Sequence, residues 1–178
     1  LSLHSVNDLP GTLIQIRKSL KPDGLFLAAM IGGNSLIELR QSLMMTEINL
    51  EKGHSPRIAP LIEIKSIGTL LQRAGFALPV VDSDTIHVTY PDARALMRDL
   101  RGMGETNIIR ERVKTFTRRT TMISAEEYYK KSFGTSNGRI PATFEIIYAL
   151  GWAPHKSQPK PLKPGSGEIS LAQTLSRT

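Results

Sequence analysis

Few places in this chain hold side chains or backbone groups that could do chemistry together. His4, Ser5, Asn7 and Asp8 crowd one short stretch after an apolar start, and Gly32-Gly33-Asn34 follows an apolar run. A glycine pair lets backbone approach a ligand closely, and a helix N-terminus behind it favours negative charge. The same pair can also simply turn the chain, and Asp8 can simply cap a helix; spacing leaves both alternatives open. Gly102-Met103-Gly104 opens like a dinucleotide fingerprint. It follows a helical pattern rather than a strand, and Asn107 stands at the third glycine's place, so it reads as a turn. His4, His54, His87 and His155 lack ligand spacing, cysteine is absent, and there is no G-x-S-x-G elbow. No metal site is expected, and no catalytic group can be named.

The element that must position these groups is Leu25 to Ile31, seven apolar residues between a Pro-Asp-Gly turn and Gly32-Gly33. Unbroken apolar character suits a strand covered on both faces of a parallel sheet. A helical pattern precedes it from Asp8 to Leu20, and another follows from a Ser35/Glu38 capping box to about Leu50, ending at Gly53. This is the order of a wound α/β sheet, in which ligands bind beyond the carboxyl ends of strands. His4 to Asp8 and Gly32 to Ser35 occupy those positions.

Downstream, His54 to Pro60 reads as a loop and Leu61 to Ala74 as a helix closed by Gly75. Phe76 to Tyr90 reads as a strand with a turn or bulge at Asp82-Ser83-Asp84. Ala93 to Gly102 has helical periodicity, and Ile108 to Arg119 is weakly helical and strongly basic. Ser124 and Glu127 form a second capping box for a helix to Phe133, Asn137-Gly138 marks a turn, and Ala142 to Trp152 is the last strand. Residues 154–178 read as a Pro/Lys/Gly-rich linker or arm, with a short apolar stretch at 169–175.

A length of 178 residues suits one domain, and net charge +7 raises the question of a polyanionic partner. Cations cluster between Arg94 and Arg119, where aromatics are scarce, so a stacking platform for single-stranded nucleic acid is missing. A solvated helix face and a basic lid over a protein client are the two readings of that cluster. No apolar run has membrane-spanning length, and the first residues lack a signal peptide's layout, so the sequence reads as soluble. The opening at Leu1, on residues resembling the end of a strand, suggests the later portion of a larger domain.

The segments LSLHSVNDLPGTL, RKSLKPDGLFLAAM, GGNSLIELRQSL, SPRIAP, LLQRAGF, RDLRGMGETN and GRIPATFEIIYALGWAPHKSQPKPLKPGSG, in this order and spacing, resemble the later two-thirds of class I S-adenosylmethionine-dependent methyltransferase-like proteins, with the nearest likeness to the complex I assembly-factor and arginine-hydroxylase group. The resemblance implies a Rossmann-like α/β sheet, here without its N-terminal strands, over residues 1–153, with a helical insertion at 91–141 before an antiparallel last strand. Leu1 to His4 would end the strand beside Leu25 to Ile31, which would itself be central. The resemblance also implies S-adenosylmethionine beside His4, Ser5, Asn7 and Asp8. Gly32, Gly33, Asn34, Arg57 and Asn107 would lie on the substrate side. Ser5 replaces the family's usual Trp, which weakens aromatic packing at the ligand pocket. The family's glycine-rich turn and ribose-binding acid have no counterpart in this sequence, so the 178 residues alone are expected to bind the cofactor poorly and to self-associate.

The implied activity is methyl transfer to a protein or carrier-bound substrate, with an arginine-hydroxylase-like or client-binding assembly role as the alternative. The expected location is cytoplasmic, or the mitochondrial matrix if the source is eukaryotic.

Overall fold

The computed structural model describes residues 1–51, 53–160, 165–167 and 170. After a short 3-10 turn at Leu3–Ser5, the order is α1 (Leu9–Ser19), β1 (Leu25–Ile31), α2 (Ile37–Glu51), α3 (Ile64–Ala74), β2 (Ala77–Tyr90), α4 (Ala93–Gly102), α5 (Arg119–Phe133) and β3 (Ile140–Trp152). Local chemistry explains several boundaries. The Asp8 carboxylate accepts from Gly11 N–H at 2.9 Å and starts α1, where Pro10 has no N–H to waste. Asp92 does the same for α4 through Ala95 N–H at 2.8 Å. Gly75, at φ 85, closes α3 with its N–H on the helix's last carbonyls.

The fold is mixed α/β, with the described strands in the order β1-β3-β2. The last strand, β3, runs antiparallel to both neighbours, pairing Leu25 with Trp152 on one side and Tyr90 with Ile140 on the other. The antiparallel last strand is as expected, but β1 is not the centre of the described sheet. At 13 residues, β3 is long enough to carry a full ladder on each edge. The strand expected to end at His4 is replaced by the 3-10 turn, closed by Ser5 N–H on Ser2 O and Val6 N–H on Leu3 O.

Antiparallel partners share a face. Phe26 and Met30 of β1 and Ile147 and Ala149 of β3 pack under Leu13 of α1 and Ile67 and Leu71 of α3. Burying Leu71 completely is worth about 2–3 kcal/mol. The opposite face is divided: α2, α4 and α5 cover its end at Ile140, Ala142 and Phe144, whereas Leu25, Leu27, Val80 and Tyr148 are exposed, Leu27 at 69%. The expectation of cover on both faces therefore fails for Leu25 and Leu27, at the start of β1. A second core joins α2, α4 and α5 to the first residues of β3, through Leu39, Leu43, Leu96, Leu100, Tyr129 and Ile140.

Other expectations are corrected by long-range bonding. Asp82 to Asp84 stay in register with Tyr148 to Ile146, and the irregularity falls between Ala77 and Val80, where Leu78 has φ 50 and Pro79 has no N–H for the ladder. Ser35 and Glu38 form no capping box because both bond to β3, as described below. Ser124 lies inside α5, which begins at Arg119, so its pairing with Glu127 caps nothing. Helix α3 starts at Ile64 rather than Leu61, and 108–118 holds no helix. Much of the expected 154–178 arm, including the apolar stretch from 169 to 175 apart from Ser170, lies outside the described residues.

Candidate functional site

A cavity of about 410 Å³ opens where β1 ends. Ile31, the last residue of β1, lies in its wall. Leu39 and Leu43 of α2, Met97 and Leu100 of α4, and Phe144 of β3 supply apolar lining. These side chains reach it because the i, i+4 stripe of α2 and the i, i+3 stripe of α4 face the same core. Polar groups come mostly from loops: His4, Arg57, Arg101, Glu105 and Asn107.

His4 has 4% of its side chain exposed, with Nε2 at 2.9 Å from Glu105 Oε1. In the neutral ring that contact assigns the proton to Nε2 and leaves Nδ1 as an acceptor. Nδ1 is buried and has no partner. Arg57 is held by the buried Glu47: its Nε donates to Glu47 Oε1 at 2.6 Å and its Nη2 contacts the same oxygen, while Nη1 donates to Thr117 Oγ1 at 2.7 Å. Glu47 Oε2 accepts Ser55 N–H at 2.8 Å, so this one carboxylate shapes the whole loop. Removing one partner of such a buried pair costs about 3–5 kcal/mol. Asn107 Nδ2 donates to Pro56 O at 2.9 Å, and Val113 N–H donates to Ser55 Oγ at 3.1 Å. Together with the His4–Glu105 contact, these bonds tie the 103–118 segment across the cavity to two distant parts of the chain.

Among the residues singled out from sequence, the cavity brings together His4, Ser5, Arg57 and Asn107. Asn7 is exposed outside it, and the Asp8 carboxylate is engaged as the cap of α1. Gly32, Gly33 and Asn34 do not line it. Their backbone donors are already used: Gly32 N–H on Glu145 O at 2.8 Å, Gly33 N–H on Ile62 O at 2.9 Å, and Asn34 N–H on Glu145 Oε2 at 3.0 Å. Asn34 Nδ2 adds a bond to Glu145 Oε1 at 3.2 Å. The group that approaches the glycine pair is thus the protein's own carboxylate.

Sequence reasoning missed Arg101, Glu105, Glu47 and Glu145. Arg101 and Glu105 sit in the quoted RDLRGMGETN segment, but nothing local indicates that Glu105 meets a residue 101 positions away. A second polar cluster lies beside the cavity. Glu38 Oε2 accepts Thr143 N–H at 3.2 Å, Glu38 Oε1 accepts the Thr143 hydroxyl, and His87 Nδ1 lies 3.2 Å from that hydroxyl. Burial, and then Glu38 and Tyr90, push the pKa of Tyr129 strongly upward; burial and Asp99 raise that of Tyr90. Among the described residues no group of three or more His, Asp or Glu could hold a metal.

No family model matches the chain. It is 48% identical over 172 residues to the mitochondrial arginine-hydroxylase NDUFAF5 of Danio rerio, covering 97% of this chain and 53% of that protein. To the human protein of the same name it is 46% identical over 173 residues, covering 97% and 50%. A malonyl-[acyl-carrier protein] O-methyltransferase of Xylella fastidiosa is 36% identical over 154 residues, covering 86% and 50%. The chain spans about half the length of the curated relatives it matches. A solved structure of a proposed methyltransferase from Bacillus halodurans C-125 covers 87% of this chain and 67% of its own, at 14% identity and TM-score 0.48, a likeness too loose to carry chemistry over. Over nearly all of its residues the chain is a homologue of the NDUFAF5 arginine hydroxylases and, at lower identity, of the malonyl-[acyl-carrier protein] O-methyltransferases.

Proposed function

We propose that this chain supplies the substrate-facing part of a methyltransferase-like protein that acts on a side chain of a protein client, with arginine the favoured target. The observation that carries this reading is the apolar cavity with Glu105 on its rim, its carboxylate positioned by the buried His4. Such a carboxylate is suited to a guanidinium, and the apolar walls to the aliphatic stem behind it. The higher identity to NDUFAF5 supports the same target. A second reading, a carboxylate borne by a carrier protein, is favoured by Arg101, which lines the cavity and has no ion partner among the described residues.

S-adenosylmethionine is the proposed cofactor; when bound, it supplies a transferable methyl group. Its fit to these residues is partial. His4 Nδ1, buried without a partner, and Ser5 can face its amino-acid end. Gly32 to Asn34 cannot add donors while Glu145 and Ile62 occupy them. Tight binding then requires a glycine-rich turn and a ribose-binding carboxylate from residues outside these 178. The chain would be the later part of such a domain, with 91–141 as its insertion, and would share the mitochondrial location of its NDUFAF5 relatives if its source is eukaryotic. No helix among the described residues is long and apolar enough to cross a membrane.

Two measurements test the reading. Calorimetric titration should show S-adenosylmethionine binding to a longer product with a glycine-rich strand-turn-helix upstream, and none to the 178-residue chain; micromolar binding by the short chain would overturn the cofactor assignment. Mass spectrometry of a client protein after incubation with that longer product should show an arginine gaining a methyl group or an oxygen atom. Gain at a carrier-bound carboxylate would establish the second reading, and an unchanged client would leave a binding module.

A further inference from the structure

The segment between α4 and α5 does something unusual with its apolar side chains. Phe116 is fully exposed, Ile108 59%, Met103 57% and Val113 50%. Single exposed apolar residues are ordinary, but four within one short segment are not, and two of them, Val113 and Phe116, border the same recess. The segment is nevertheless anchored. Asn107 bonds Pro56 O, Val113 N–H bonds Ser55 Oγ, Thr117 receives Arg57, and Arg118 pairs with Glu51 at 3.3 Å. Its polar groups hold it down while the apolar side chains face outward. Beside Phe116 lies a recess of about 340 Å³, to which Val113 and Phe116 bring the apolar wall, while His54 and the paired Glu47–Arg57 and Glu51–Arg118 side chains bring the polar one; it is large enough for a big side chain from another molecule.

Charge specifies the occupant. Residues 91–119 hold eight of the chain's cations against four carboxylates. Arg94, Arg98, Arg101, Arg110, Lys114 and Arg119 make no ion pair with any described residue. We propose that this strip docks an acidic protein segment that inserts an apolar side chain beside Phe116. The proposal rests on the reading that the protein acts on a protein client, and specifies that client's surface. Cations without partners steer such a segment and set its register, and the desolvated apolar anchor supplies holding energy. A single-stranded nucleic acid would want several stacking rings, whereas Phe116 stands alone among the cations.

Fluorescence anisotropy with synthetic peptides tests this. The probes are a labelled amphipathic peptide of Glu and Leu, an all-Glu peptide of equal length, a Lys/Leu peptide of the same pattern, and a single-stranded oligonucleotide. The Glu/Leu peptide should bind saturably at physiological salt. Phe116→Ser, and separately the triple variant Arg110→Glu, Arg112→Glu, Lys114→Glu, should each weaken it about tenfold or more. All four positions are exposed, so melting curves should match the parent's. The all-Glu and Lys/Leu peptides should bind only weakly at that salt. Equal binding of Glu/Leu and all-Glu peptides, no effect of Phe116→Ser, or displacement of the peptide by the oligonucleotide would overturn the proposal. Failure of the chemistry is separable: a wrong reaction leaves peptide binding intact with no modified client, whereas a wrong docking strip leaves client modification unchanged by Phe116→Ser.

Discussion

Tyr129 is the residue whose chemistry reports most directly on the second core. It is fully buried, and its hydroxyl donates to Pro141 O at 2.6 Å, joining α5 to the start of β3. Burial is the main cause of its raised pKa, with Glu38 and Tyr90 adding negative potential when ionised. The neutral form is therefore favoured in the folded state. Its contribution is complete below the unfolded tyrosine pKa of about 10 and is lost as pH rises from there toward the folded value. Thermal melts across the alkaline range should show stability falling above about pH 10. Tyr129→Phe should cost about 1 kcal/mol at neutral pH through the lost hydrogen bond, while making that alkaline decline shallower. Parallel slopes for parent and variant would mean that other groups govern alkaline unfolding.

At the scale of elements, the loop between β1 and α2 is decided by β3. Ser35 Oγ donates to Glu145 O at 3.2 Å and accepts Glu145 N–H at 2.9 Å, while Leu36 N–H reaches Thr143 O at 2.7 Å. These bonds enter α2 with Leu36 at φ 56, a costly backbone for a branched side chain that the surrounding ladder sustains. Gly32 is required for a different reason: a Cβ there would lie 2.4 Å from Glu145 Oε2. Gly32→Ala should thus displace the carboxylate from Asn34 and cost about 1–3 kcal/mol. In a Glu145→Ala background the same change should cost far less, since nothing is left to displace. Denaturant unfolding of the four-member cycle checks this, and additive losses would show that Gly32 serves only the turn.

For the whole molecule, the open face of the sheet is the main consequence of the fold. Leu27, Leu150 and Val80 stand in one row across the three strands, with Leu25 and Trp152 in the next. The outer edge of β1 makes no ladder among the described residues, so an apolar face continues to a pairing-competent edge. The 178-residue chain is accordingly expected to self-associate through it despite net charge +7. Leu27→Lys should shift sedimentation toward the monomer. Because Leu27 is already 69% exposed, it should change stability by no more than about 0.5 kcal/mol. Unaltered association in that variant would place the contact elsewhere.

Much of the element order was legible because its signals are local. Asp8 with Pro10 starts α1, Pro22 and Gly24 separate it from β1, and Gly75 closes α3, each through contacts within a few residues. The linear motifs likewise carried the homology, since order and spacing survive without any knowledge of contacts. What the tertiary structure alone decided lies between residues far apart in sequence. That β3 is central, that Ser35 and Glu38 bond a strand rather than cap a helix, that Glu145 fills the glycine loop, and that His4 meets Glu105 all depend on strand register and on how α4 settles over the cavity. A capping box and a strand contact use the same side chains, and the side-chain pattern cannot show which partner will be present. That partner is fixed only when the ladder brings residues more than 100 positions apart to hydrogen-bonding distance, where burial makes the bond obligatory.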